Sequence, residues 1–167
     1  MITSLRYILI FILLFLIQVL ILNNIEFSGY VNPYVYLLFI LILPVEIPAW
    51  FLLVLSFFTG FFIDLFSGSP GMHASATVLA GFVRPFVLRF ISPRDGYEAG
   101  ASPSMLAYGF RWFLTYALII VVIHHTALFY LEVFRFTEFF RTFLRVLLST
   151  AFSLIFILII ESYRRGK

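Results

Sequence analysis

Long, unbroken apolar runs alternate along this chain with short breaks marked by polar residues or proline. The first run, "LRYILIFILLFLIQVLIL" (Leu5–Leu22), ends in "NNIEF" with no small-residue cleavage pattern, so it reads as an uncleaved first helix and not as a signal peptide. The second, "YVYLLFILIL" (Tyr34–Leu43), lies between Pro33 and "PVEIP". It is short for a crossing of about 20 residues, so it reads as a tilted, broken or flank-extended span over 34–48. A third run covers 49–66 and a fourth 74–91, with Pro85 in its inner part. The polar loop Ser92–Ser104 follows, then runs over 105–133 and 139–161. Inside a bilayer only helices and closed barrels satisfy their own backbones. Barrel strands need two-residue alternation, which these continuous runs lack. The pattern predicts an all-α integral membrane protein, a single six-helix transmembrane bundle over 1–167.

Composition agrees. The chain is 63% hydrophobic and 11% charged, with a mean hydropathy of +1.09; soluble domains are about half apolar and about a quarter charged. The absence of cysteine excludes disulfides, thiol catalysis and cysteine metal sites. The net charge of +3 is spread along the chain, which leaves no patch for nucleic acid. No internal repeat is evident. With both termini inside, Arg6, Arg84, Arg89, Arg94, Arg111, Arg164, Arg165 and Lys167 fall on the inner side, and Arg135, Arg141 and Arg145 on the outer. Eight against three places the termini in the cytoplasm and the Ser67–Met72 turn outside.

The stretch "GFFIDLFSGSPGMHA" (Gly60–Ala74) carries the most information. Asp64 follows Gly60 by one helical turn on the same face. A residue without a side chain beside an acid suggests close approach by another helix. The acid itself costs about 2.5–3.5 kcal/mol at the centre of a membrane helix unless it is paired or near the interface. Ser67, Gly68, Ser69 and Gly71 offer donors, and Pro70 suits the first turn of a new helix. Asp64 is therefore expected to tie down this turn; contact with a partner, or a place on an ion pathway, are the other readings. His73 reads as a cap or turn partner for Asp64.

The pattern Gly60-x-x-x-Asp64-Leu65-x-Ser67-Gly68-Ser69, followed by Gly71-Met72-His73-Ala74, resembles the signature of the rod shape-determining protein MreD family. Gln18 near the outer end of the first span and "VNPYVYLLF" (Val31–Phe39) fit as well. The block departs at Pro70-Gly71, where many relatives carry an extra leucine before the glycine. The resemblance implies a non-enzymatic scaffold subunit of the bacterial cell-elongation complex in the inner membrane. It would bind MreC and work with MreB, RodA and a class B penicillin-binding protein, without cofactor or metal. It also implies a fold similar to the substrate-binding subunits of energy-coupling-factor transporters. The alternative function is such a small-molecule-binding subunit. Against it, the first helix has no Gly, Ala or Ser between Ser4 and Asn23 for close packing on a coupling subunit. An intramembrane enzyme lacks a nucleophile–base or two-acid arrangement.

The remaining polar residues read as follows. His124 and His125 are adjacent, so they face about 100° apart on a helix and cannot share one ligand; packing or hydrogen bonding fits better than metal binding. Arg84 is expected to snorkel toward the cytoplasm, or to join an inner charge cluster with Glu46 or Arg111. Arg141 and Arg145 anchor the outer interface, pair with Glu138 or reach Asp64. The terminal "RRGK" reads as an anchor to anionic membrane lipid. Tyr7, Tyr30, Tyr34, Trp50, Tyr97 and Tyr163 fit interfacial belts.

Overall fold

A computed structural model describes residues 2–24, 31–133 and 138–164. Its helices are α1 (Ile2–Leu20), α2 (Leu37–Ile42), α3 (Ala49–Ser67), α4 (Met72–Phe90), α5 (Met105–Tyr108), α6 (Phe110–Val133) and α7 (Phe139–Arg164), with a 3-10 turn at Leu22–Asn24 after α1. Among the described residues, four stretches are long and apolar enough to cross a bilayer: Leu5–Asn24, α3, α6 and α7. The protein is an all-α, multi-pass membrane protein. Large apolar side chains face outward along these helices, among them Leu9, Leu13, Phe57, Phe61, Leu144 and Ile155, as they must where lipid is the solvent.

Helix α4 equals α3 in length but carries His73, Ser75, Thr77, Arg84 and Arg89. Its polar side chains are accommodated because α4 lies inside, packed on α3 and on α6, which in turn packs on α7. Two glycines set the α3–α4 distance. A carbon added at Gly81 would meet the Ser56 side chain, and one added at Gly60 would lie 2.5 Å from the Ala74 Cα. Helix α4 runs unbroken through Pro85.

Two elements differ from the sequence reading. The run expected over 105–133 is split at Gly109, whose φ of 85° favours glycine. The Ser104 hydroxyl caps the short α5 by accepting from the Ala107 N–H at 3.1 Å. The larger difference is the second run. It is helical only over Leu37–Ile42, six residues of the expected 34–48. Pro33 and Pro44 flank the helix, and residues 32–35 are not helical. Every residue from Val35 to Leu43 is at most 6% exposed, and α2 touches α1, α3, α4 and α6.

A broken helix in this position leaves backbone groups without helical partners, and neighbouring side chains supply them. Before α2, the N–H groups of Asn32 and Tyr34 donate to Ser149 (3.0 Å) and Ser153 (2.8 Å) of α7. Gln18 of α1 accepts from the Val35 N–H at 2.9 Å and donates to the Pro33 carbonyl at 3.1 Å. After α2, the fully buried Arg84 donates to the carbonyls of Leu43 and Pro44. Its Nε donates to the Tyr116 hydroxyl at 2.8 Å, which donates onward to the Leu41 carbonyl at 3.1 Å. Arg84 thus does not snorkel to water; the carbonyl end of α2 takes its guanidinium, and cations suit that end of a helix.

Arg84→Met is expected to leave these carbonyls short of donors. The cost is about 1–3 kcal/mol for each buried group left unsatisfied, read as a lower melting temperature in detergent. Arg84→Lys, which keeps a donor and the charge, should fall between Met and the parent. Equal melting of all three would show that the α2 end does not depend on Arg84.

Candidate functional site

The α3–α4 hairpin builds the first part of the site. Helix α3 ends at Gly68 with φ 64°, and α4 starts after Gly71 with φ 81°. A glycine at the start of α4 has no side chain to cap the first N–H groups, which helical geometry leaves unpaired. Asp64 does this from α3. Its Oδ1 accepts from the His73 N–H at 2.9 Å and the Ser69 hydroxyl at 3.0 Å, and its Oδ2 accepts from the Ala74 N–H at 2.9 Å. The helix dipole adds to the attraction. Gly60 makes the reach short, because α4 passes over it at His73 and Ala74.

The donors differ in part from those expected. They come from Ser69 and the first turn of α4, not from the N–H groups of the turn glycines. Gly68 and Gly71 contribute left-handed backbone, with open space around them. Ser67 does not reach Asp64; it accepts from Asn23 at 3.1 Å and so ties the end of α1 to the end of α3. His73 meets Asp64 through its backbone only.

The His73 ring instead begins a buried polar chain. Its Nδ1 is 3.0 Å from the Tyr36 hydroxyl, which is 2.7 Å from Nε2 of His124. His124 and His125 leave adjacent helix positions but their rings meet, with the two Nδ1 atoms 3.5 Å apart. His125 hydrogen-bonds the Val121 carbonyl at 2.9 Å and Ser153 at 3.0 Å. Ser153 is the serine that receives the Tyr34 N–H. Among the described residues no three metal-ligating side chains converge. Tyr36, Thr77, Ser149 and Ser153 escaped the sequence reading. Ser149 and Ser153 are one turn apart on one face of an apolar helix, which is the signal that marks them.

A cavity of about 330 Å³ lies beside this chain, lined by Asn23, Asn32, Ser67, Ser69, His73, Glu132 and Arg145 among others. Arg145 pairs with Glu132 at 2.9 Å and lies 4.2 Å from the Phe129 ring centre; it does not reach Asp64. Arg141 pairs with Glu138 at 3.7 Å, on the surface. A second cavity, about 620 Å³ and mostly apolar, runs between α1 and α3 past Phe11, Phe39, Phe58 and Phe62.

The inner charge cluster does not form: among the described residues no ion pair joins Glu46 to Arg84 or Arg111. Carbonyl groups occupy Arg84, Glu46 accepts from the Gly100 N–H at 3.4 Å, and Arg111 is exposed. Of the tyrosines assigned to interfacial belts, Tyr34 is buried against His73 and His125. Tyr97 donates to the Leu88 carbonyl at 2.6 Å, and burial pushes its hydroxyl up to about 12. Arg164 pairs with Glu161 at 3.1 Å. Tyr30, Arg135 and the Arg165–Lys167 part of the expected anchor lie outside the described residues.

No protein-family model, curated protein or solved structure matches this chain.

Asp64→Asn keeps size and one acceptor oxygen, whereas Asp64→Leu leaves Ser69, His73 and Ala74 without their acceptor. The Leu variant is expected to melt lower than the Asn variant, by about 1–3 kcal/mol per unsatisfied group. Gly60→Leu should cost about 1–3 kcal/mol as an overfilled contact. Melting curves in detergent check both; a Leu variant at either position that melts like the parent would contradict the hairpin geometry.

Proposed function

We propose that this protein is a non-enzymatic scaffold subunit of the bacterial cell-elongation complex, of the MreD kind, that binds MreC in the inner membrane. The observation that carries the reading is the Gly60–Ala74 block. Its sequence resembles the family signature, and its residues work as one device: Gly60 admits α4, Asp64 caps it, and Gly68 and Gly71 turn the chain between. A device that fixes where a helix begins also fixes the face offered to a neighbouring helix. Gln18, Tyr36, Arg84, Tyr116, His125 and Ser153 of the core are spent on backbone groups and on one another, which suits a rigid scaffold better than chemistry.

The topology that goes with it has six crossings and cytoplasmic termini. Contacts that gather the chain into two ends support it. One end joins Tyr7 to Ser102, Val45 to Ala101 and Glu161 to Met105. The other joins Asn23 to Ser67 and Glu132 to Arg145. The stretch 31–43 would then be the second crossing, with α4 the fourth. The small-molecule-binding reading is second; the cavity beside His73 is what favours it.

Two measurements test the proposal. Reporter fusions after Lys167 and within Ser92–Ser104 should read cytoplasmic, and one at Gly68 periplasmic. A periplasmic C-terminus would overturn the topology. Co-expressed MreC should co-purify with the parent and be lost, or held less, in Asp64→Leu. MreC that never co-purifies with the folded parent would overturn the scaffold role.

A further inference from the structure

The cavity of about 330 Å³ is of ligand size, and its position is informative. It sits where the Leu22–Asn24 turn, the α3–α4 turn, the end of α6 and the start of α7 meet, level with the helix ends. In a bilayer that is the depth of the headgroups.

Two features of its wall specify chemistry. The first is His73, which is only 3% exposed and lines the cavity. Its Nδ1 is engaged by the Tyr36 hydroxyl. Among the described residues nothing engages its Nε2. When Tyr36 donates to Nδ1, the ring proton is on Nε2 and is available as a donor to the cavity. The second is the Arg145–Glu132 pair at 2.9 Å, whose guanidinium lies against the Phe129 ring. It places one positive and one negative group side by side on one wall. A lone anion there would meet Glu132, and a lone cation would meet Arg145. A group that carries both signs satisfies both.

We propose that this cavity binds a compact zwitterion, with its anionic oxygens toward Arg145 and His73 and its ammonium toward Glu132. Asn32, Ser67 and Ser69 add neutral polar groups to the lining. Val19, Leu22, Phe66, Met72 and Leu128 add apolar contacts to a lining that is otherwise mostly polar, which fits a headgroup whose tails lie in the membrane. A phosphoethanolamine headgroup has this chemistry whether it belongs to a lipid or is free in solution. The proposal goes beyond the scaffold role and does not depend on it.

The test uses the purified full chain in detergent, without a partner. Its thermal midpoint is followed during titration with phosphatidylethanolamine, with phosphatidylglycerol and with soluble phosphoethanolamine. A ligand that binds only the native state raises the midpoint with concentration. Phosphatidylethanolamine should act at about tenfold lower concentration than phosphatidylglycerol, the effect of one charge-assisted hydrogen bond. Glu132→Gln should abolish that preference, and Glu132→Asp, which keeps the charge, should retain it in part. A soluble headgroup that acts as well as the lipid would support the site and assign it a soluble ligand. A lipid response without a soluble one would assign it to the membrane. Equal responses to the two lipids, no response to either zwitterion, or a preference unchanged in Glu132→Gln would overturn the proposal. None of these results bears on whether MreC binds.

Discussion

A backbone that leaves its helix inside the apolar part of a protein must find hydrogen-bond partners, and this fold is arranged around one such place. The segment 31–44 enters as extended chain, makes one short helix and leaves through a proline. In water its free N–H and C=O groups would be solvated. Here they are buried, and each left unmet would cost about 1–3 kcal/mol. Gln18, Ser149 and Ser153 meet the incoming side, and Arg84 with Tyr116 meets the outgoing side. Helices α1, α4, α6 and α7 are thereby fixed to one central segment, each by a named side chain.

The same logic explains why the most polar long helix lies in the middle. Helix α4 brings His73 and Thr77 to Tyr36 at one end of the segment and Arg84 to Leu43 at the other. Its position is set at its first turn, where Asp64 takes its unpaired N–H groups, and along its length, where Gly60 and Gly81 let it close on α3. A carboxylate near the end of an apolar helix is thus part of the packing: without it, the start of α4 would have no cap from its own glycine.

The long, unbroken apolar runs made the long helices legible, and Gly60 one turn before Asp64 made the close hairpin legible, because each is a local property of the chain. The second run was harder. Pro33 and Pro44 signal breaks, but no local feature says that six residues of helix are tolerable; that depends on serines more than 110 residues away on α7. Arg84 was misplaced for the same reason. From sequence an intramembrane arginine calls for water or a carboxylate, whereas here it finds carbonyls freed by a distant helix break. Glu46 and Arg111 share an expected side of the membrane with it, but no contact, because proximity along the membrane normal says nothing about position in the plane.

Amide hydrogen exchange in detergent reads the hydrogen bonding of this broken segment residue by residue. The N–H groups of Tyr34 and Val35 lie outside any helix, yet they donate to Ser153 and Gln18 in the buried core. They should exchange as slowly as core amides of α6, and Ser153→Ala should speed Tyr34 with little effect on the middle of α6. Exchange of Tyr34 and Val35 in the parent as fast as in the Ser92–Ser104 loop would contradict these bonds, for the broken segment would then be satisfied by water and not by the side chains around it.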